Sequence, residues 1–376
     1  MTSLLILKAV YNLSHEVLVE QHWEMNAYFQ YFGGVSVQQW SRPCAANDLV
    51  HFRQRIGEQG LEKILKQSID KHGKDGKDPN VSIDTSAQEK NIAYPTDAKL
   101  HKKIIDKCAK MAKENGIKLR RSYKRKLKTI AGRLFRELGS KLPDGACAAE
   151  LETFKKVLAQ QKNSKNKIYS LHEPEAYCMS KGKAHKKYEY GCKASVVLTQ
   201  KTGIIFGAMT FKNNVYNGHI LEDVLAQTKG LTGKAPKTAT VDRGYKGKQR
   251  LGATQVNVPK PPLKKDSDHQ KRKKRKHFRG KAAVEPIIGH LKQDHRAPKN
   301  FLKEQIGDSI NFVMAAAGFN FKKLMAKLKD QALWLYLEIQ NMIAGTFCCR
   351  GKGFSIDPIP ENGLAISIDR EKCTYP

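Results

Sequence analysis

"KYEYGCKASVVLTQKTGIIFGAMTF", Lys187 to Phe211, is the stretch on which the fold turns. Apolar and β-branched residues fill both halves, and "QKTG" between them is turn chemistry. The stretch therefore predicts two strands, 187–199 and 203–211, in hairpin order. Upstream, "VSIDTS" (81–86) is a further β-like run that ends on Asp84. Downstream come a helical stretch "NGHILEDVLAQTKG" (217–230), a strand "TATVDRGY" (238–245) that ends on Asp242, and a short β-like piece "TQVNVP" (254–259). Two amphipathic helices follow, over about 282–295 and 303–343. The order β, long helical insert, β, β, α, β, α, β, α predicts a mixed α/β domain whose central sheet is covered by helices.

The flanks are helical. In "ANDLVHFRQRIGEQGLEKILKQSI" (46–69), Leu49, Val50, Phe52, Ile56, Leu61, Ile64 and Leu65 recur at helical spacing. Asn47 is the expected N-cap, and Gly57 and Gly60 separate two helical segments. "HGKDGKDPN" (72–80) is a polar, turn-rich linker. From Leu100 to about Gln161 the chain is helical and very basic, with Tyr123, Leu127, Ile130, Leu134 and Phe135 on one face. The expected organisation is an N-terminal helical region (1–75), an α/β domain (76–330) and a C-terminal helix with an irregular tail (331–376). The α/β domain would contain a basic helical insertion (100–165) and a basic loop (264–281).

The chain carries 68 Lys and Arg against 36 Asp and Glu, a formal net charge of +32. Such an imbalance points to polyanionic partners, nucleic acid or an anionic membrane surface. No run approaches the ~20 apolar residues of a spanning helix, so nucleic acid is the expected partner and no membrane is. Eight cysteines are scattered without C-x-x-C pairs or zinc-finger spacing, which is the pattern of free thiols in a reducing compartment.

Candidate chemistry lies in three acidic residues. Asp84 and Asp242 each follow buried-type residues, and the carboxyl ends of strands are where ligands collect in α/β sheets. An isolated Asp at such a place is ordinarily a turn or cap residue. Glu285 stands beside Pro286, which is tolerated in a helix's first turn, so that helix should begin close to Ala282. Lys292, seven residues on, falls about 20° short of two turns and shares the face of Glu285. Taken alone, Glu285 is a surface residue with a distant Lys. It lies just past "KRKKRKHFRGK" (271–281), however, a tract that attracts little except polyanions.

Four segments then fall into a known order. "DTSAQEKNIAYPTDAKL" (84–100), "SKGKAHKKYEYGCKASV" (180–196), "VDRGYKG" (241–247) and "KAAVEPIIGHLKQDH" (281–295) resemble bacterial DDE-type insertion-sequence transposases, most closely the insertion-sequence-five group. "ILKAVYNLSHEVLVEQHWEMNAYFQYF" and "FRQRIGEQGLEKIL" are similar to that group's N-terminal region, so the resemblance spans about residues 4–330. It implies an RNase H-like mixed sheet flanked by helices, with Asp84, Asp242 and Glu285 as the catalytic, metal-binding triad. The family's Tyr-x2-Arg-x3-Glu-x6-Lys signature falls here on Phe278, Lys281, Glu285 and Lys292. Lys281 keeps the charge of the usual Arg without its bidentate fork, and Phe278 keeps a stacking face without the hydroxyl.

The implied cofactor is Mg²⁺, two ions, with Mn²⁺ able to substitute. Paired hard cations activate the attacking oxygen and stabilise the leaving one, and carboxylates suit them. The implied activity is binding of the element's inverted repeats, cleavage at its ends and strand transfer into target double-stranded DNA. The expected setting is a homodimer or larger assembly in a bacterial cytoplasm, at the nucleoid. DNA contacts are assigned to Phe278, Arg279, Lys281, Lys292, Arg243 and the tract Lys271, Arg272, Lys273, Lys274 and Arg275, with sequence reading left to the N-terminal region. Asp97 reads as a helix cap and His290 as structural. Lys181, Lys183, His185 and Lys186 are either DNA contacts or an exposed loop. The start looks short and the tail from Gly345 departs from the family's ending, which leaves a second reading: a regulatory derivative that binds DNA without cutting. A third is a nuclease that hydrolyses without joining.

Overall fold

The computed structural model describes residues 1–348 except 122–124, 144, 181–185, 246–248, 296 and 298; it leaves out the side chains at 243, 276, 277, 280 and 337–348 as well. Two units are distinguished, Met1–Leu324 and Met325–Pro376.

In the first unit, β1 (Asn80–Lys90), β2 (Tyr177–Ser180), β3 (Tyr188–Thr199), β4 (Ile205–Phe211), β5 (Thr238–Thr240), β6 (Arg250–Leu251), β7 (Thr254–Asn257) and β8 (Lys299–Asn300) form one sheet. Its order is β2-β3-β1-β5-β7-β6, with β4 on β3 and β8 on β1. β1, β3 and β4 are antiparallel, whereas β1, β5 and β7 run parallel. β3 is buried without interruption from Gly191 to Thr199. A strand covered on both faces has no need of polar alternation, hence the run "ASVVLT". Gly191 has no side chain because a Cβ there would meet the Gln88 carbonyl across the β1–β3 ladder. This mixed sheet flanked by helices is consistent with an RNase H-like domain.

Short helical pieces open the chain: α1 (Thr2–Tyr11), a π turn (Val17–His22), α2 (Trp23–Met25) and α3 (Ala27–Phe32). They lead into α4 (Ala46–Asp70). Leu4, Leu18, Trp23, Phe29, Leu49, Leu61 and Leu65 lie in the same hydrophobic core as Val81, Ile83, Val197 and Ile205 of the sheet. Asn47 is not the cap of α4. The helix begins one residue earlier, and Asp48 closes its first turn by accepting from the Ala45 amide at 2.9 Å. Gly57 breaks the helix at φ 56°, ψ −168°, backbone angles that favour glycine.

Between β1 and β2 lie α5 (Asp97–Glu114), α6 (Leu127–Gly139) and α7 (Ala148–Ala159). They bury a core of their own, with Leu100, Ile104, Cys108, Leu134, Leu138 and Phe154 at its centre. Tyr123, expected on that face, lies outside the described residues. Thr96, not Asp97, caps α5: its hydroxyl accepts from the Lys99 amide, and Asp97 sits in the first turn, where a negative charge suits the helix dipole.

α8 (Asn217–Thr232) packs on β4 and α4. The tract expected to be a loop is instead helical, α9 (Asp268–Ala282), and continues into α10 (Val284–Asp294). Composition argued against an ordered segment, but Ser267 and Gln270 form a reciprocal capping box. Lys, Arg and Gln are good helix formers, and Asp268 at the start with Arg279 and Lys281 at the end complements the dipole. The break at Ala283 falls where Pro286 has no N–H for the Ala282 carbonyl. α11 (Glu304–Cys348) crosses from the first unit into the second and carries Gly345 to Cys348 in helix; the tail beyond lies outside the described residues. No helix among the described residues is long and apolar enough to cross a membrane.

Candidate active site

The parallel ladder between β1 and β5 pairs Asn80 with Thr238, Val81 with Ala239 and Ser82 with Thr240. Carried two residues further along each chain, the same register sets Asp84 beside Asp242. Adjacent strands lie ~4.8 Å apart and side chains alternate faces, so two residues at equal offset point to the same side. Asp242 follows the end of β5, as its sequence suggested. Asp84 does not end its strand: β1 continues to Lys90, with Thr85 to Glu89 paired to Ser195 to Gly191 of β3. The carboxylate therefore stands in mid-strand, on backbone paired to Val196 of β3 and two residues past the last β5 pair.

Glu285 arrives from α10, which touches β1. Val284 and Leu291 of that helix are buried in the main core and Ile287 and Ile288 pack against it, while Glu285 is exposed in its first turn. Its charge reaches Asp84, as does that of Asp242. Burial is the largest influence on Asp84 and pushes its carboxyl above the usual range. The Thr85 amide, donating to Oδ1 at 2.7 Å, pulls the other way with Lys281; Asp242 and Glu285 add repulsion.

Lys281 is the cation of this cluster. It sits on the last turn of α9, which touches both β1 and β5. Its Nζ lies 2.9 Å from Asp242 Oδ1, and its side chain is only 17% exposed. As they stand, no three Asp, Glu, His or Cys side chains among the described residues are gathered closely enough to hold a metal ion. The donor set nevertheless fits one. It offers hard oxygen ligands on three separate elements, and it already holds one positive charge among them.

Of the other residues singled out from sequence, Arg272, Lys273, Arg275, Phe278 and Arg279 are exposed along α9. Lys274 pairs with Asp266 at 2.6 Å and Lys271 with Asp268 at 3.5 Å. Lys292 is half-buried with Ile288 and Leu291, facing Ser86 and Ala87 of β1. The Arg243 side chain lies outside the described residues, as do Lys181, Lys183 and His185. Lys186 pairs with Glu89, and His290 Nδ1 stands 3.2 Å from Asp294 at the surface.

Tyr245 was missed. It is buried at 2% exposure, and its amide donates to the Asp242 carbonyl at 3.0 Å. The turn Arg243–Tyr245 brings the ring back beneath the two aspartates, whose charges join burial in pushing the phenol well above its ordinary pKa. The signal was the spacing of Asp242 and Tyr245, one turn apart. A groove of about 710 Å³ lined by Glu62, Lys66, Asp223 and Gln227 lies elsewhere, between α4 and α8, and contains none of the three carboxylates.

Residues 161–321, less than half of the chain, match the family described as a transposase DDE domain. The matched stretch includes Asp242 and Glu285; Asp84 precedes it. A curated relative, "Uncharacterized protein ORF8 in nfe locus" of Rhizobium meliloti, is 40% identical over 138 residues, covering 35% of this chain and 66% of the relative. The chain thus spans just under two thirds of that relative's length. No solved structure matches it. The domain match supports a DDE-type transposase.

Proposed function

We propose that this chain is a DNA transposase of the insertion-sequence-five group, cutting the ends of a mobile element and joining them to target DNA. The observation that carries this reading is the β1–β5 register, which sets Asp84 and Asp242 side by side with Glu285 and Lys281 in electrostatic reach. Asp84, Asp242 and Glu285 would hold two Mg²⁺ ions, or Mn²⁺ in their place, which when bound activate the attacking oxygen and stabilise the departing one. The chain's own part is positional. β1 and the end of β5 carry two carboxylates, α10 brings the third within electrostatic reach, and the exposed Arg and Lys of α9 would hold the phosphate backbone beside them. Phe278 offers an aromatic face to an unstacked base. Purified protein should nick and join DNA bearing the element's terminal inverted repeats only when Mg²⁺ or Mn²⁺ is present, with binding that weakens steeply as salt rises. Retention of that DNA with no product under any divalent ion would move the chain to the second reading, a regulatory derivative; cleavage without joined product would make it a nuclease.

Lys281 has a double part in this scheme. Without DNA, its ammonium pairs with Asp242 and its charge also reaches Asp84, so it competes with a divalent ion for them. A phosphate entering along α9 draws it away and frees the carboxylates, so substrate and metal bind together. Titration calorimetry of DNA-free protein with Mn²⁺ should show Lys281→Met binding the ion about tenfold more tightly than the parent, the size expected when a competing charge is removed. Equal affinities would strip Lys281 of that part and leave it a phosphate contact only.

A further inference from the structure

The first 45 residues stand apart in charge. They contain Lys8 and Arg42 against Glu16, Glu20 and Glu24, a net of −1 in a chain of net +32. The same segment exposes a dense set of large apolar side chains. Tyr28 is 85% exposed, Tyr31 79% and Trp40 74%, with Met25, Phe32 and Val37 beside them in sequence. Tyr28, Tyr31 and Phe32 are three and four residues apart on α3 and so share one face. Single exposed apolar residues are ordinary, but a cluster of aromatics marks a contact surface.

This cluster is held in place. Gln30, buried at 1% exposure, accepts from the Gln39 amide at 2.6 Å and donates to the Gln39 carbonyl and to the Trp23 carbonyl, each at 2.8 Å. One side chain thereby pins the loop that carries Val37 and Trp40 against α3. Gln38 donates to the Glu24 carbonyl at 3.1 Å, and Arg42 reaches Glu20 at 3.2 Å. Three anchors on a loop of this length display the aromatics in a fixed arrangement, which lowers the entropy lost when something covers them.

The charge says what would cover them. DNA affinity rests on phosphate contacts, and two cations in 45 residues supply few. Two copies of a chain of net +32 repel each other over most of their surfaces, and least where the local charge is near zero. Trp and Tyr are also the residues that dominate protein–protein contacts. We propose that the face formed by Tyr28, Tyr31, Phe32, Val37 and Trp40 is where two copies of this chain associate, each face meeting the same face of the other. This assignment is independent of the metal-site reading.

Sedimentation velocity of the full chain, without DNA and over a range of concentrations, tests it. The parent should run as a two-copy species. Trp40→Glu and Tyr31→Glu, on the loop and on α3, should each weaken self-association at least about 30-fold while circular dichroism and Tm stay unchanged. Using both variants guards against one failing to fold. A parent that remains single at every concentration overturns the proposal. So do variants that stay paired, which would place association elsewhere, for instance at the exposed Leu333, Trp334 and Leu335 of α11. Variants that lose DNA binding with no change in association make nucleic acid the occupant and overturn it too.

Discussion

Alanine at Asp84 is expected to lower metal-dependent cleavage of end-bearing DNA by at least about a thousandfold, roughly 4 kcal/mol of transition-state stabilisation, while retention of that DNA changes little. Asp84 is singled out because its position is the least adjustable of the three. It stands in the middle of an eleven-residue strand, paired to Val196 of β3 at its own position and to β5 just before it, with Oδ1 fixed by the Thr85 amide. Glu285, exposed in the first turn of a helix, has freedom to compensate for small shifts; Asp84 has little. A merely structural Asp makes the opposite prediction for stability. Burial and two neighbouring carboxylates push Asp84 above its ordinary range, so its negative charge opposes folding in the metal-free protein. Asp84→Asn, which retains most of the shape, should therefore leave Tm unchanged or raise it even as cleavage vanishes, the signature of a site that trades stability for activity. A clear fall in Tm with cleavage intact would return Asp84 to the scaffold.

Sequence patterning located most of this arrangement, and its failures have identifiable causes. The runs "SVVLT" and "IIFGAMTF" announced β3 and β4 because both faces of those strands are covered. The β-like pattern of β1 stops at Ser86 because "QEK" (88–90) is polar. Gln88 and Lys90 are nevertheless buried, each met by partners hundreds or scores of residues away that no local pattern can foretell. β6 and β8, of two residues each, carry no period at all. Asp84 and Asp242 were legible as acidic residues among β-like neighbours, but their pairing came from the register between strands 158 positions apart, visible only in the ladder. α9 was hidden by uniform charge, although the capping signal Ser267-x-x-Gln270 was present in the sequence. Tyr245 and Gln30 were overlooked for a common reason: each is a polar residue whose importance comes from being buried, and burial of a single polar side chain has no periodic signature.

Lys90→Met is expected to cost about 3–5 kcal/mol of folding stability, the largest loss from any single substitution of a charged residue argued here. Lys90 is almost fully buried, and its Nζ makes contacts of 3.1 Å to Glu173 Oε2, 3.1 Å to Asp308 Oδ1, 3.1 Å to the Leu302 carbonyl and 2.8 Å to the Glu304 carbonyl. Asn300 donates to the same Asp308 oxygen at 2.7 Å, and the Glu304 amide donates to Glu173 Oε2 at 3.1 Å. One ammonium thus joins the end of β1, the segment before β2 and the start of α11. Met fills much of the volume but takes the ammonium away from two carboxylates, which keep only the neutral donors Asn300 and the Glu304 amide, and from two carbonyls, in a space closed to water. The deficit should depend on pH in a defined sense. Burial raises Asp308 above its ordinary value, while Lys90 is the main influence lowering it, so removing Lys90 raises it further. A group whose folded pKa is raised binds protons more readily in the folded state. The variant therefore recovers stability as pH falls through that folded value and loses it as pH rises. Urea unfolding of parent and variant at a series of pH values should show the gap narrowing toward acid. By contrast, Lys107→Ala, which removes an exposed pair with Glu150 at 3.2 Å, should cost no more than about 0.5 kcal/mol at any pH. If Lys90→Met and Lys107→Ala prove equally mild, the buried cluster contributes specificity of packing and little stability, and a well-packed apolar trio in place of Lys90, Glu173 and Asp308 would be tolerated.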